Sequence, residues 1–273
     1  MFGTFLIVFR EGLEAFLLVG ILLAYLRQLE ATRYSVWIFV GAFLGILVAL
    51  GTAFILEFVI SKFHSDTYRL ILTAAIMVLA ATVLSYMAVW MHKQAKEMTG
   101  AAKEQLRQYV SAGNVVGVAF LSFISVWRES METILFLSAL MYSGVAISLP
   151  GGLIGFVLAI TVVWLLLRGA RNLPLRAFFR WSSLLLIIIA AGLLASATNI
   201  LQGLGYLPGP TTALFNLSGI VPDTGGAGEF LRGLFGYDAT PTPLQFGVWL
   251  AFLLCALTLW LKAYSTPKKL KQA

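Results

Sequence analysis

Apolar runs of 18 or more residues recur along the whole chain and restrict its fold more than any other feature. Each run is long enough to cross the hydrocarbon core of a bilayer as a helix, which needs about 20 residues. Only 11% of the residues are charged, and no polar segment is long enough to fold as a separate soluble domain. We therefore predict an all-α integral membrane protein in which residues 1–273 form a single transmembrane domain.

The hydropathy pattern predicts seven membrane spans, whose approximate bounds are residues 4–26, 35–60, 69–91, 115–142, 147–167, 181–203 and 245–263. Residues 1–9 lack Lys and Arg, so the first span is expected to be a retained helix rather than a signal peptide. Residues 92–113 are mixed in charge and are expected to form a solvated helical connector. Residues 204–244 form a long loop rich in Gly and Pro.

The basic residues indicate how the spans are oriented. Fourteen Lys and Arg residues fall on one side of the seven spans, and three fall on the other. The positive-inside rule places the richer side in the cytoplasm. The N-terminus and the loop at 204–244 are therefore predicted to lie outside, and the C-terminus inside. This bias accounts for the net charge of +7, and we do not expect binding to nucleic acid.

Two charged motifs reveal an internal repeat. "FREGLEAF" (9–16) and "WRESMETI" (127–134) align at an offset of 118 residues, and the following spans align at an offset of 110. We predict that residues 1–110 and 111–205 are two copies of a three-span unit, followed by a seventh helix at 245–263. Because three is odd, the copies have opposite orientations, as in inverted-repeat transporters. Matching small-residue faces predict close helix packing at Gly41, Gly45, Gly151 and Gly155.

Each motif places an arginine and two glutamates deep in an apolar span. Residues three and four apart share a helix face. Glu11 and Glu14 are therefore expected to project together, with Arg10 able to brace Glu14. The same spacing relates the second set of residues, which is Arg128, Glu129 and Glu132.

Burying six ionisable groups is costly, at about 15–20 kcal/mol before any pairing. They must face one another or a wet cavity. A purely structural cluster of ion pairs that joins spans one and four would be expected to have balanced charges. Here four carboxylates and two arginines leave a formal charge of −2. Such an imbalance favours protons or a cation, so we predict a functional cation site.

Carboxylate oxygens are hard ligands that suit Fe²⁺, Fe³⁺, Mn²⁺, Mg²⁺ or Ca²⁺. The Glu-x-x-His pairs of di-iron enzymes are absent from the motifs, which argues against an enzyme of that class. One cysteine, Cys255, excludes an intrachain disulfide and a multi-cysteine metal site.

The two Arg-Glu-x-x-Glu motifs, in the first and fourth of seven spans, resemble those of the oxidase-dependent iron permeases, which include fungal high-affinity permeases and bacterial EfeU-type transporters. The segment "GLFGYDATPTPLQ" (233–245) is also similar to the bacterial branch. The resemblance implies iron uptake across the plasma membrane, with iron as Fe²⁺ or Fe³⁺ the substrate and no permanently bound cofactor. It also implies that Glu11, Glu14, Glu129 and Glu132 handle iron, supported by Arg10 and Arg128.

The same resemblance implies a separate extracytoplasmic oxidase or periplasmic iron-handling protein, and membrane lipid is expected around the spans. Candidate ligands at the outer entrance are Glu57, Asp223, Glu229 and Asp238. Two alternatives remain open: a permease for another divalent cation such as Mn²⁺ or Pb²⁺, and a non-transporting membrane scaffold whose ion pairs are structural.

Overall fold

The computed structural model describes residues 1–62, 65–168, 175–223, 228, 231–232 and 235–265. Across these residues the regular structure is helical, which confirms the all-α prediction. A 3₁₀ turn at Thr32–Tyr34 precedes the second of the long helices. The long helices are α1 (Phe2–Gln28), α2 (Ser35–Lys62), α3 (Asp66–Ser111), α4 (Val115–Tyr142), α5 (Leu149–Leu167), α6 (Leu175–Gly203) and α7 (Pro243–Ser265).

Five segments of these helices are long and apolar enough to cross a membrane, and they lie in α2, α3, α5, α6 and α7. The helices α1 and α4 have sufficient length, with 27 and 28 residues, but they carry the charged motifs. The chain is therefore a multi-pass helical membrane protein. The charges that set α1 and α4 apart are those predicted to form the cation site.

The helices divide into two compact units. The first contains Met1–Leu72 and Lys93–Leu175, and the second contains Thr73–His92 and Arg176–Ala273. The 46-residue helix α3 contributes to both units. Each unit thus combines helices from both predicted repeats.

In the first unit, α1 packs along α5, and α2 packs along α4. Glycines bring the backbones close at both interfaces. A Cβ atom at Gly45 would lie 2.9 Å from the carbonyl oxygen of Phe123, and one at Gly155 would lie 2.7 Å from that of Phe5. Real Cβ atoms do not approach backbone so closely, so both positions require glycine. These contacts confirm the close packing that the glycine faces predict.

The end of α3 also packs into the first unit. Leu106 is 0% exposed and lies in a buried cluster with Leu22 and Leu26 of α1, Ile38 of α2 and Val118 of α4. The prediction of a solvated connector at 92–113 is therefore wrong for Leu106. One apolar face of this charged helical segment is buried against the ends of three other helices.

In the second unit, a buried cluster joins Ala88 of α3, Ile187 of α6, and Ala256 and Trp260 of α7. Hydrogen bonds hold the loop before α7. The Thr242 hydroxyl donates to the Gln202 side-chain oxygen over 2.6 Å, and the Gln245 amide nitrogen donates to Asp238 over 3.0 Å. Thr242, Gln202 and Gln245 are buried, so this polar network fixes part of the predicted outer loop to α6 and α7.

Candidate metal site

The motif on α1 forms a buried ion-pair cluster. Arg10 pairs with the adjacent Glu11, and its Nη2 atom lies 3.1 Å from Oε1 of Glu14. The four-residue spacing predicted the second of these pairs. The side chain of Arg10 is 0% exposed, and Glu11 is 1% exposed, so the pairing takes place away from bulk solvent.

The motif on α4 repeats this arrangement with one difference. The Nε atom of Arg128 donates to Oε1 of Glu129 over 3.0 Å and lies 3.7 Å from Oε1 of Glu132. The side chain of Arg128 is 40% exposed, in contrast to that of Arg10. The two motifs thus share their pairing pattern but differ in how far the arginine is buried.

Three motif carboxylates meet between the two helices. Glu11 and Glu14 of α1 and Glu129 of α4 each offer an oxygen, and these three atoms all lie within 4.8 Å of one another. Glu132 lies one turn further along α4 and is not part of this group of three. A single cation with oxygen ligands can bridge carboxylates at such separations after small side-chain movements.

The remaining carboxylate oxygens also suit a cation. Among the residues that the structure describes, no hydrogen-bond partner is found for Oε2 of Glu11, Glu129 or Glu132, although these atoms are buried. A buried carboxylate oxygen without a partner is costly. A bound cation would satisfy such oxygens and offset the formal charge of −2, so the donor set fits a hard metal ion.

The candidate ligands at the outer entrance have other contacts. Glu57 is exposed near the end of α2 and accepts a hydrogen bond from the Tyr142 hydroxyl over 3.2 Å. Asp223 accepts from the backbone amide of Ala239, and Asp238 accepts from that of Thr240. None of these three belongs to the carboxylate group between α1 and α4. Glu229 lies outside the described residues.

The sequence missed one feature of the site and one feature elsewhere on α1 and α4. Adjacent residues point apart on a helix, so the pairing of each arginine with the next glutamate was not predicted. The second feature is a pair of buried hydroxyls, Thr4 and Ser122, which stand at the 118-residue offset of the motifs. That offset was the available signal for them, because it aligns the residues before each motif as well as the motifs themselves.

Comparison with known proteins identifies the family. The profile of the Iron permease FTR1 family matches residues 1–266. The chain is 31% identical over 263 residues to "Ferrous iron permease EfeU" of Yersinia pestis, covering 95% of this chain and 93% of that protein. It is 30% identical over 272 residues to the protein of the same name from Shigella sonnei (strain Ss046), covering 98% and 97%. No solved structure matches the chain.

The family profile thus spans both charged motifs and nearly the whole chain, and the relatives align almost from end to end. This chain belongs to the Iron permease FTR1 family.

Proposed function

We propose that this chain is an iron permease of the plasma membrane that carries iron into the cytoplasm. Membership of the Iron permease FTR1 family supports this function. The relatives are named ferrous iron permeases, which favours Fe²⁺ over Fe³⁺ as the transported ion. The protein acts as a membrane transporter rather than as an enzyme, and iron is its substrate.

The iron passes through the carboxylate site between α1 and α4. The observation that carries this assignment is the meeting of Glu11, Glu14 and Glu129 within 4.8 Å. Glu132 is assigned to the same pathway because it is one turn away and has a buried oxygen without a hydrogen-bond partner among the described residues. Arg10 and Arg128 hold the carboxylates in place and reduce their mutual repulsion.

The proposed topology has seven spans, an inverted repeat of three spans each, an outer N-terminus and an inner C-terminus. The contacts of the first unit support the repeat. Gly45 lies against Phe123, and Gly155 lies against Phe5. Shifting Phe5 by 118 residues gives Phe123, and shifting Gly45 by 110 gives Gly155, which are the offsets of the two repeats. The two interfaces are thus equivalent under the exchange of repeats.

At the outer side, Glu57 is proposed as a ligand at the entrance because it is exposed near a helix end. The hydrogen bonds of Asp223 and Asp238 favour bracing of the loop over metal binding. Glu229 stays a predicted ligand outside the described residues. Delivery of iron by a separate extracytoplasmic oxidase or iron-handling protein is also proposed, on the basis of the motif resemblance.

Uptake by purified protein in vesicles tests the proposal. Fe²⁺ and Fe³⁺ are supplied separately, with and without a pH gradient, and Mn²⁺ and Pb²⁺ are added as competitors. We expect Fe²⁺ uptake that Glu11→Gln and Glu129→Gln abolish. Uptake of Mn²⁺ or Pb²⁺ in preference to iron would establish the alternative permease. Absence of any ion flux from correctly folded protein would establish the scaffold.

A further inference from the structure

Two helix interfaces in the first unit are too close to slide. At the α1–α5 interface, a Cβ atom on Gly151 would lie 2.7 Å from the carbonyl oxygen of Met1. At the α2–α4 interface, Gly41 makes the equivalent approach to the carbonyl oxygen of Ala119. In each case the neighbour is backbone, which cannot rotate away as a side chain can. Translation along either interface would drive other side chains into this backbone.

Hydrogen bonds cross the same two interfaces at equivalent positions. The buried Ser122 hydroxyl of α4 donates to the carbonyl oxygen of Ile38 in α2 over 2.8 Å. The backbone amide of Ser148, the residue that caps α5, donates to the buried hydroxyl oxygen of Thr4 in α1 over 3.2 Å. Thr4 and Ser122 are related by 118 residues, and Ile38 and Ser148 by 110. Glycine contacts and hydrogen bonds therefore fix the same two pairs of helices.

The seam between α1 and α4 has a different character. Near one end of the seam, a Cβ atom on Gly3 would lie 3.2 Å from the Cδ2 atom of Leu140, which belongs to a flexible side chain. The middle of the seam holds Glu11 and Glu14 opposite Glu129, and the two motif arginines offset only part of the repulsion among the four motif carboxylates. A bound cation would attract both sides and draw the seam together. The stability of this seam therefore depends on the ion, whereas that of the two glycine interfaces does not.

Each glycine interface joins one helix from each predicted repeat. Rocking one repeat against the other would consequently break both interfaces at once. Movement of the α1–α5 pair against the α2–α4 pair would leave both intact. It would disturb the α1–α4 seam and the smaller contact between α1 and α2.

We infer that transport proceeds by movement of the α1–α5 pair against the α2–α4 pair along the α1–α4 seam. Each of these moving pairs, or bodies, contains one helix from each repeat. This inference rests on the proposed function and specifies its mechanics. The ion controls the movement because its carboxylate ligands come from both bodies. Near the end of the seam opposite Gly3, Leu106 of α3 packs against both α1 and α4. The end of α3 must therefore move with one pair or detach from the other during transport.

Cross-linking of cysteine pairs in vesicles tests the inference. The background is Cys255→Ser, because Cys255 is the only cysteine in the chain. Two double variants lock the helices within a body: Thr4→Cys with Ser148→Cys, and Ile38→Cys with Ser122→Cys. Two lock the seam: Gly3→Cys with Leu140→Cys at one end, and Leu22→Cys with Val118→Cys at the other. A short bifunctional methanethiosulfonate cross-linker is added, which forms a reducible disulfide bond with each cysteine. The cross-linked fraction is measured by mass spectrometry, and Fe²⁺ uptake is then followed.

We expect the seam locks to lower uptake by about tenfold or more, which corresponds to about 1.4 kcal/mol on the barrier, and a reducing agent to restore it. The locks within a body should leave uptake within about twofold, which is less than 0.5 kcal/mol. Loss of uptake on locking within a body, or full uptake with the seam locked, would overturn the inference. Recovery on reduction separates a lock from misfolding, and either seam pair suffices if the other does not assemble. The Cys255→Ser parent tests the proposed function by itself, because a parent that folds without moving iron contradicts that function and not the mechanics.

Discussion

The Nη2 atom of Arg10 lies 3.1 Å from Oε1 of Glu14, one helical turn along α1, and the arginine is completely buried. In the second motif, the Nε atom of Arg128 lies 3.7 Å from Oε1 of Glu132, and Arg128 is 40% exposed. Two motifs with the same sequence spacing therefore hold their arginines in different environments. Removing the two arginines should have unequal effects on stability.

Arg10→Ala is expected to destabilise the protein by about 3–5 kcal/mol, because it leaves two buried carboxylates without their counter-charge. Arg128→Ala should cost less, since solvent reaches that side chain. Thermal unfolding in detergent measures both. Arg107→Ala is the control, because its ion pair with Glu104 is exposed to solvent and exposed pairs contribute little to stability. Equal destabilisation by Arg10→Ala and Arg107→Ala would contradict the burial argument.

Glu11→Gln or Glu129→Gln is expected to weaken Fe²⁺ binding by about tenfold or more. The change keeps the side-chain shape but removes one charged ligand, and interactions with charged groups are worth about 1.5–3 kcal/mol. Isothermal titration of purified protein gives the affinity. Glu104→Gln is the matched control on an exposed helix surface. Unchanged affinity in the double variant Glu11→Gln with Glu129→Gln would remove these carboxylates from the site.

Glycine-to-alanine changes on α2 should have opposite signs at two positions. Gly45→Ala places a Cβ against the backbone of Phe123 and Trp127 and should lower the melting temperature. Gly51→Ala meets no atom within 4 Å and should raise stability by about 0.5–1 kcal/mol through helix propensity. Gly155→Ala should behave like Gly45→Ala because it stands at the equivalent interface. A stability change of the same sign at Gly45 and Gly51 would show that the close backbone approach at Gly45 does not determine the effect of the substitution.

Asp238→Ala is expected to loosen the outer loop without stopping transport. It leaves the backbone amide of Thr240 and the buried side chain of Gln245 short of an acceptor, at about 1–3 kcal/mol for such a loss. Protease added outside sealed vesicles should cleave the loop faster than in the parent, while uptake at saturating iron is kept. Loss of uptake with unchanged cleavage would instead make Asp238 an iron ligand.

Glu57→Gln is expected to raise the iron concentration needed for half-maximal uptake and to leave the maximal rate unchanged. A carboxylate at the entrance increases the local concentration of cations but does not take part in the later steps. Initial uptake rates over a range of Fe²⁺ concentrations separate the two quantities. Tyr142→Phe, which removes the hydroxyl that donates to Glu57, serves as the control for the hydrogen bond. A lower maximal rate with an unchanged half-saturation value would place Glu57 elsewhere in the cycle.

The sequence predicted the helices and the motif residues because both depend on local patterns. Apolar runs mark the spans, and the spacing of Arg10 and Glu14 fixes their shared face. The glycine faces predicted that helices approach closely but not which helices do so. A glycine at position 45 indicates that a small residue is needed there, and it does not identify Phe123 as the neighbour. The burial of Leu106 was missed for a related reason. A single apolar face in a charged segment is read as solvated until the helix ends that cover it are known.

The packing of each helix against a helix of the other repeat also constrains the order in which the protein assembles during synthesis. Ile38 and Ser122 are 84 residues apart in the chain, and Thr4 and Ser148 are 144 apart. Because synthesis runs from the N-terminus, α1 and α2 enter the bilayer before either of their partners exists. The helix α2 can pack against α4 as soon as α4 is made, whereas α1 cannot pack against α5 until later in synthesis. A nascent chain halted after the first repeat would therefore leave two faces unpacked: the glycine face of α2, and the face of α1 that Gly151 and Gly155 of α5 would cover.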